Sequence, residues 1–209
     1  MTTKVLRPNL LPSIPKIRRV TQSLAMLDAI LCPEWEYRYY SFDRHWGQGE
    51  EMASMRNGCG DDWFLLLDAA GAALKGYAHE LADDAELPQN IQAQVPANFA
   101  SFLQEPAFSM ERATFCYWRQ TADVGWSKVS SSLGHDGSDD MLALIVSSPA
   151  AYQAWAEEYY EVAVSLAAVE ALFSHQPLDD ALILALNADA DLSAVYAEAD
   201  AIGYPKTVV

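Results

Sequence analysis

Between Trp35 and His79 the apolar residues gather in four short runs, Trp35–Phe42, Glu50–Arg56, Trp63–Leu67 and Ala72–His79. Asn57-Gly58-Cys59-Gly60 and Asp68-Ala69-Ala70-Gly71 lie between runs and supply residues that accept positive φ, so tight hairpins join the strands into an antiparallel meander. Trp63-Phe64-Leu65-Leu66-Leu67 is apolar without alternation. A strand of that kind is covered on both faces, which requires helices or a second layer on each side of the sheet.

The helical period governs both ends of the chain. Ile17, Val20, Leu24, Leu27 and Leu31 recur at spacings of three and four, and Cys32-Pro33 stops the pattern, predicting an N-terminal helix. Ahead of it Pro8, Pro12 and Pro15 break any period, so Met1–Pro15 reads as an extended basic arm and 16–209 as one α+β domain. Near the other end, Ser148-Pro149 is an N-cap followed by a proline at the first helical position. From there a stripe of Tyr152, Trp155, Tyr159, Val162, Leu166, Val169 and Leu172 predicts one long helix ending at His175-Gln176-Pro177. A short apolar helix over Leu178–Leu186 and a last one from Asp191 to Gly203 follow.

The middle is less periodic. Leu81 to Met110, with Pro88, Pro96 and Pro106 around Phe99, Phe102 and Leu103, predicts loop with one or two short helices. Arg112–Arg119 and Trp126–Val129 form a second hairpin turned by Thr121–Gly125, Ser130–Asp140 is a polar loop, and Met141–Val146 reads as a further buried strand. Helix, strands, strands, helices is the order of an α+β fold: an antiparallel sheet packed with N- and C-terminal helices.

Charge sharpens the functional reading. Of 13 basic residues, Lys4, Arg7, Lys16, Arg18 and Arg19 stand in the first 22 positions with no acid among them, leaving eight to face all 29 acids. From Ser130 onward there are 13 acids and one base, Lys206. Such a field repels nucleic acid and anionic lipid and speeds encounter with a basic protein. Glu157, Glu158, Glu161, Asp179 and Asp180, on the polar faces of the predicted helices, are the contact residues this implies.

Catalytic chemistry has fewer anchors. Cys32, Cys59 and Cys116 show no CxxC spacing, so neither a disulfide framework nor a zinc site is expected, and a reducing cytoplasm fits. The N-terminus lacks a secretory pattern, and no apolar run reaches the roughly 18 residues that span a bilayer. His45, Asp61, Asp62 and His79 are the residue types of a hydrolytic metal site and would meet if the Phe42–Gly49 loop lay beside the Gly58–Asp61 turn. They carry no HxH or HExxH spacing, no GxSxG or phosphate loop occurs, and no cofactor is expected. A hydrolase or metal-dependent enzyme at this cluster is the alternative function, and homo-oligomerisation through an aromatic sheet face or the long helix is a third. Trp35, Tyr37, Tyr39, Tyr40, Phe42 and Trp46 either fill a core or, where exposed, make a protein-binding hot spot.

Three strings carry a resemblance: Trp35-Glu36-Tyr37-Arg38-Tyr39-Tyr40-Ser41-Phe42, the segment Glu51 to Asp61, and Gly71-Ala72-Ala73-Leu74-Lys75-Gly76-Tyr77-Ala78-His79-Glu80. Together they resemble a block in uncharacterised bacterial cytosolic proteins associated with the small acidic immunity-type proteins of toxin systems. The resemblance implies a cytoplasmic protein that binds and neutralises a basic toxin, and it names no catalytic residue.

Overall fold

The computed structural model describes residues 5–81 and 86–207. Six strands form one antiparallel sheet in chain order: β1 (Tyr40–Gly47), β2 (Glu50–Arg56), β3 (Asp62–Leu67), β4 (Gly71–Tyr77), β5 (Phe115–Gln120) and β6 (Ser127–Lys128). The second hairpin is therefore no separate unit, because β5 pairs with β4 and continues the meander. The turns follow the expected chemistry: Gly58 sits at φ 73° at the tip of the β2–β3 hairpin. Gly71 adopts φ 147°, and a Cβ there would stand 2.1 Å from the Arg119 carbonyl oxygen of the neighbouring strand.

Alternation along the strands divides the core in two. Ala53, Met55, Trp63, Leu65, Leu67, Ala72, Leu74, Phe115 and Tyr117 face one layer, while Met52, Leu66, Ala73 and Cys116 face the other. The run Trp63–Leu67 is thus buried on both sides, as its lack of alternation predicts. The first face is covered by α1 (Ile14–Leu31), α4 (Ser138–Met141), α5 (Ala143–Val146), α6 (Pro149–Tyr160), α7 (Leu166–Phe173), α8 (Asp180–Leu186) and α9 (Leu192–Ile202). The second is covered by α2 (Leu87–Gln94), by α3 (Ala100–Gln104) with Phe102, and by 3-10 turns that bring Phe99 and Phe108 onto it.

Several expectations are corrected. Trp35–Tyr37 is a 3-10 turn, and β1 starts at Tyr40 and runs on to Gly47, with its register shifting after Asp43. The residues expected as a Phe42–Gly49 loop are therefore mostly strand. Met141–Val146 is helical, in α4 and α5, and Trp63 Nε1 donates to the Met141 carbonyl at 3.1 Å. A six-residue apolar run carries too little periodicity to separate strand from helix. The long C-terminal helix is two: Glu161 adopts φ 54° and ends α6, and Ser165 caps α7 by accepting from Ala168 N–H. The turn is held from α6, where Glu157 accepts from Val164 N–H at 3.1 Å and Gln153 donates to the Val164 carbonyl at 2.8 Å.

At the N-terminal end, α1 begins at Ile14, with Pro15 in its first turn, where a missing N–H costs nothing. The segment before it lies on the body: Leu6 and Leu11 are buried, Tyr117 OH donates to the Leu6 carbonyl at 2.7 Å and Trp126 Nε1 donates to the Pro12 carbonyl at 2.6 Å. Residues 1–4 of the expected arm lie outside the described residues.

Candidate functional site: an aromatic cleft over a buried aspartate

Asp28 lies in the last turn of α1 and is fully buried. Its Oδ2 accepts from the backbone N–H of Tyr40 at 2.7 Å and of Tyr39 at 3.1 Å, and its Oδ1 accepts from Tyr152 OH at 2.7 Å. Burial is the larger influence, and it pushes the Asp28 pKa up to about 6 although each of these bonds favours the carboxylate. Asp28 thus ties the end of α1, the entry to β1 and α6 at one point. Arg38 fastens the neighbouring chain: it donates to the Cys32 and Pro33 carbonyls, both at 2.8 Å, and pairs with Glu198 of α9 at 3.0 Å.

Above Asp28 the rings interlock. Tyr39 meets Trp155 edge-on at 4.8 Å and Tyr159 at 5.2 Å, Trp155 stacks on Tyr159 at 5.0 Å, and Tyr160 stands perpendicular to Tyr159. Outside this cluster opens a cleft of about 520 Å³, walled by the Trp35–Tyr37 turn, the tip of the β2–β3 hairpin and the end of α6. Trp35, Tyr37 and Tyr159 are 55%, 65% and 41% exposed, so three large rings around one cleft face solvent. Arg56 stacks on Trp35 with its guanidinium carbon 4.6 Å from the ring centroid, and it forms no ion pair among the described residues. Tyr160 also lines the cleft; its hydroxyl is buried and forms no hydrogen bond of proper geometry, although it lies close enough to feel the Asp28 charge.

The hairpin that forms one wall is braced internally. Asn57 Oδ1 accepts from the N–H groups of Cys59 and Asp61, and Asn57 Nδ2 donates to Asp61 Oδ2 at 2.7 Å. Asp61 Oδ1 takes His79 N–H and faces His79 Nδ1, both at 2.8 Å. Partial burial opposes ionisation of Asp61, but hydrogen bonds from His79 and Asn57 outweigh it and hold its pKa below the ordinary value. Gly60 leaves room for this latch, since a Cβ there would press on the His79 ring at 3.0 Å.

Of the expected polar cluster, only His79 and Asp61 meet. Asp62 pairs instead with Lys75 at 2.7 Å, a lysine wholly buried on the second face of the sheet, where burial lowers its pKa. His45 is exposed on β1, five residues beyond Tyr40, whose partner strand residue Met55 adjoins Trp63. Trp63 is in turn level with Gly76 of β4, and His79 lies past Gly76 on the side away from His45, so the two histidines are at least roughly 16 Å apart along the strands, far beyond what two ligands of one metal can span. Among the described residues no cluster of three or more potential ligands forms.

The expected acidic contacts also divide. Asp179 caps α8 by accepting from Leu182 N–H at 2.8 Å, Asp180 accepts from Tyr196 OH at 2.7 Å, and Glu157 holds the α6–α7 turn. Glu158 and Glu161 are exposed, form no ion pair among the described residues and flank Tyr159 and Tyr160 at the cleft. Asp28 has a signal that sequence reasoning passed over: it sits four residues after Leu24 on the apolar stripe of α1, where an acid must be buried with partners.

Comparison with protein-family profiles, curated proteins and solved structures finds no match to this chain. No described helix is long and apolar enough to cross a membrane.

Proposed function

We propose that this chain is a cytoplasmic binding protein that engages a basic protein partner through the aromatic cleft, with neutralisation of a toxin as the form its resemblance favours. One observation carries the reading: Trp35, Tyr37 and Tyr159 stand exposed around a cleft beside Arg56, on a frame anchored by the buried Asp28. Trp, Tyr and Arg are the residues that dominate binding hot spots, and rings bury much area while losing few rotamers. Glu34, Glu36, Glu158 and Glu161 adjoin these rings in the chain and supply the negative rim that speeds a basic partner's approach.

The test is capture from the native host with the intact chain and with a Trp35→Ala/Tyr37→Ala variant, followed by kinetics with the purified partner. The expected result is a basic protein held by the intact chain and lost from the variant, with association slowed by salt and dissociation little changed. Recovery of no basic partner at low or high salt, or capture undiminished in the variant, overturns the reading.

A further inference from the structure

The hairpin tip that walls the cleft carries a reactive pair of its own. Asn9, Asn57, Asn90, Asn98 and Asn187 are followed by Leu10, Gly58, Ile91, Phe99 and Ala188, so Asn57 alone precedes a glycine. A glycine leaves its own backbone nitrogen unshielded, where any other residue sets a Cβ beside it. Gly58 is exposed at φ 73°, a Cβ there would meet nothing within 4 Å, and its N–H makes no hydrogen bond among the described residues.

The contacts of the Asn57 side chain act in opposite senses. Its Oδ1 accepts from the N–H groups of Cys59 at 2.9 Å and Asp61 at 3.1 Å, two donors aimed at the oxygen that gains negative charge when Cγ is attacked. These favour reaction. Its Nδ2 donates to Asp61 Oδ2 at 2.7 Å, a bond that is lost if this nitrogen departs, and the carboxylate opposes further negative charge beside it. Asp61 is itself held by His79, through its N–H and its Nδ1.

We infer that Asn57 is a site of spontaneous deamidation, with the backbone nitrogen of Gly58 as nucleophile and the latch of Asp61 and His79 as the brake on its rate. Gly58 N gives its proton to a solvent base and bonds to Asn57 Cγ, and the carbonyl electron pair moves onto Oδ1. Collapse of that oxyanion breaks the Cγ–Nδ2 bond, and Nδ2 leaves as ammonia with a proton from water. Water then opens the succinimide: cleavage of the new N–Cγ bond gives aspartate, and cleavage between Gly58 N and the Asn57 carbonyl carbon gives isoaspartate. The net change is amide and water to carboxylate and ammonium, with no oxidant or cofactor. Aspartate sets a carboxylate against Asp61 where Nδ2 donated, and isoaspartate adds a methylene to the backbone of the turn, so both unfasten a tip whose Gly58 lines the cleft. The reaction needs no partner; only its effect on binding rests on the role proposed for the cleft.

The test is ageing of the full chain at mildly alkaline pH, followed by peptide mapping with mass spectrometry. The mass gain of an amide-to-acid exchange is expected at Asn57 ahead of the other asparagines, with aspartate and isoaspartate both present. Asp61→Ala removes the charge-assisted bond and is expected to speed the change by about tenfold. Circular dichroism checks its fold, and the intact chain aged in guanidinium chloride supplies the unlatched rate if that variant does not fold. Gly58→Ala puts a Cβ beside the nucleophile in open space and is expected to slow the change toward the rate at Asn187, which precedes Ala188. Modification of Asn57 no faster than of the other asparagines in the latched and unlatched chains, equal rates with and without the latch, or the full rate persisting in Gly58→Ala overturns the inference.

Discussion

Asp28→Asn tests the energetics of the site most directly. The wild-type carboxyl has a pKa of about 6 in the folded protein, against an ordinary value near 3.9 when unfolded. The folded state therefore binds more protons between those two values, and the contribution of Asp28 to stability is greatest below about pH 4 and is lost as pH rises through 6. The full swing is about 3 kcal/mol, a little over two pKa units at about 1.4 kcal/mol each, of which about 1.3 kcal/mol falls between pH 5 and 7. That narrower window also stays clear of the isoelectric point near 4.4, where solubility falls. Asparagine keeps an oxygen for the Tyr39 and Tyr40 N–H groups and places an amide against Tyr152 OH, which can turn to accept. Urea unfolding followed by tryptophan fluorescence at pH 5, 6 and 7 gives the two stability curves. Titration of the other groups, and relief of charge repulsion at lower pH, enter both curves alike and cancel in the difference. The variant should gain on wild type by about 1.3 kcal/mol from pH 5 to pH 7, with an unchanged denaturant slope. Parallel curves would refute the reasoning, for they would mean that Asp28 ionises as it does in water and is not buried as described.

Two further substitutions address the sheet. Leu65→Asp places a carboxylate at a fully buried position of β3; it should cost several kcal/mol, out of the roughly 5 to 15 that hold a domain folded, and give insoluble protein or lost cooperative unfolding. Its control, Glu158→Lys on an exposed site, should change stability by less than about 0.5 kcal/mol in the same urea titration while weakening any basic partner. Gly76→Ala would set a Cβ 1.9 Å from Phe115 Cζ across the β4–β5 pair, and overpacking of this kind should lower stability by about 1 to 3 kcal/mol, seen as a lower urea midpoint.

Much of the fold was legible locally because the features that specify it are local. β2 spans Glu50–Arg56, the bounds of the run read from the sequence, and α9 begins after Asp191, whose Oδ1 accepts from Ala194 N–H, and ends at Gly203 with φ 73°. Hairpin glycines, caps and a strand apolar on both faces act over a few residues, so their pattern survives in the sequence. The departures occur where one pattern serves two geometries. Met141–Val146 is apolar enough for a buried strand or a buried helix, and the stripe from Tyr152 to Leu172 continues across the break at Glu161 because both α6 and α7 turn an apolar side to the same core.

The cleft belongs to tertiary structure almost entirely. The sequence shows that Trp35, Tyr37, Arg56 and Tyr159 are residues suited to binding, and that an acid at position 28 interrupts an apolar stripe. It does not show that the end of α1, the β2–β3 hairpin and α6 converge, since these segments are distant in the chain, Asp28 lying 124 positions before Tyr152. Nor does it show that His45 and His79 occupy opposite ends of the sheet, a consequence of strand pairing and register. Periodicity records which residues must leave water. Which groups then meet depends on how the covered faces pack, and here that packing left three aromatic rings exposed around a buried carboxylate.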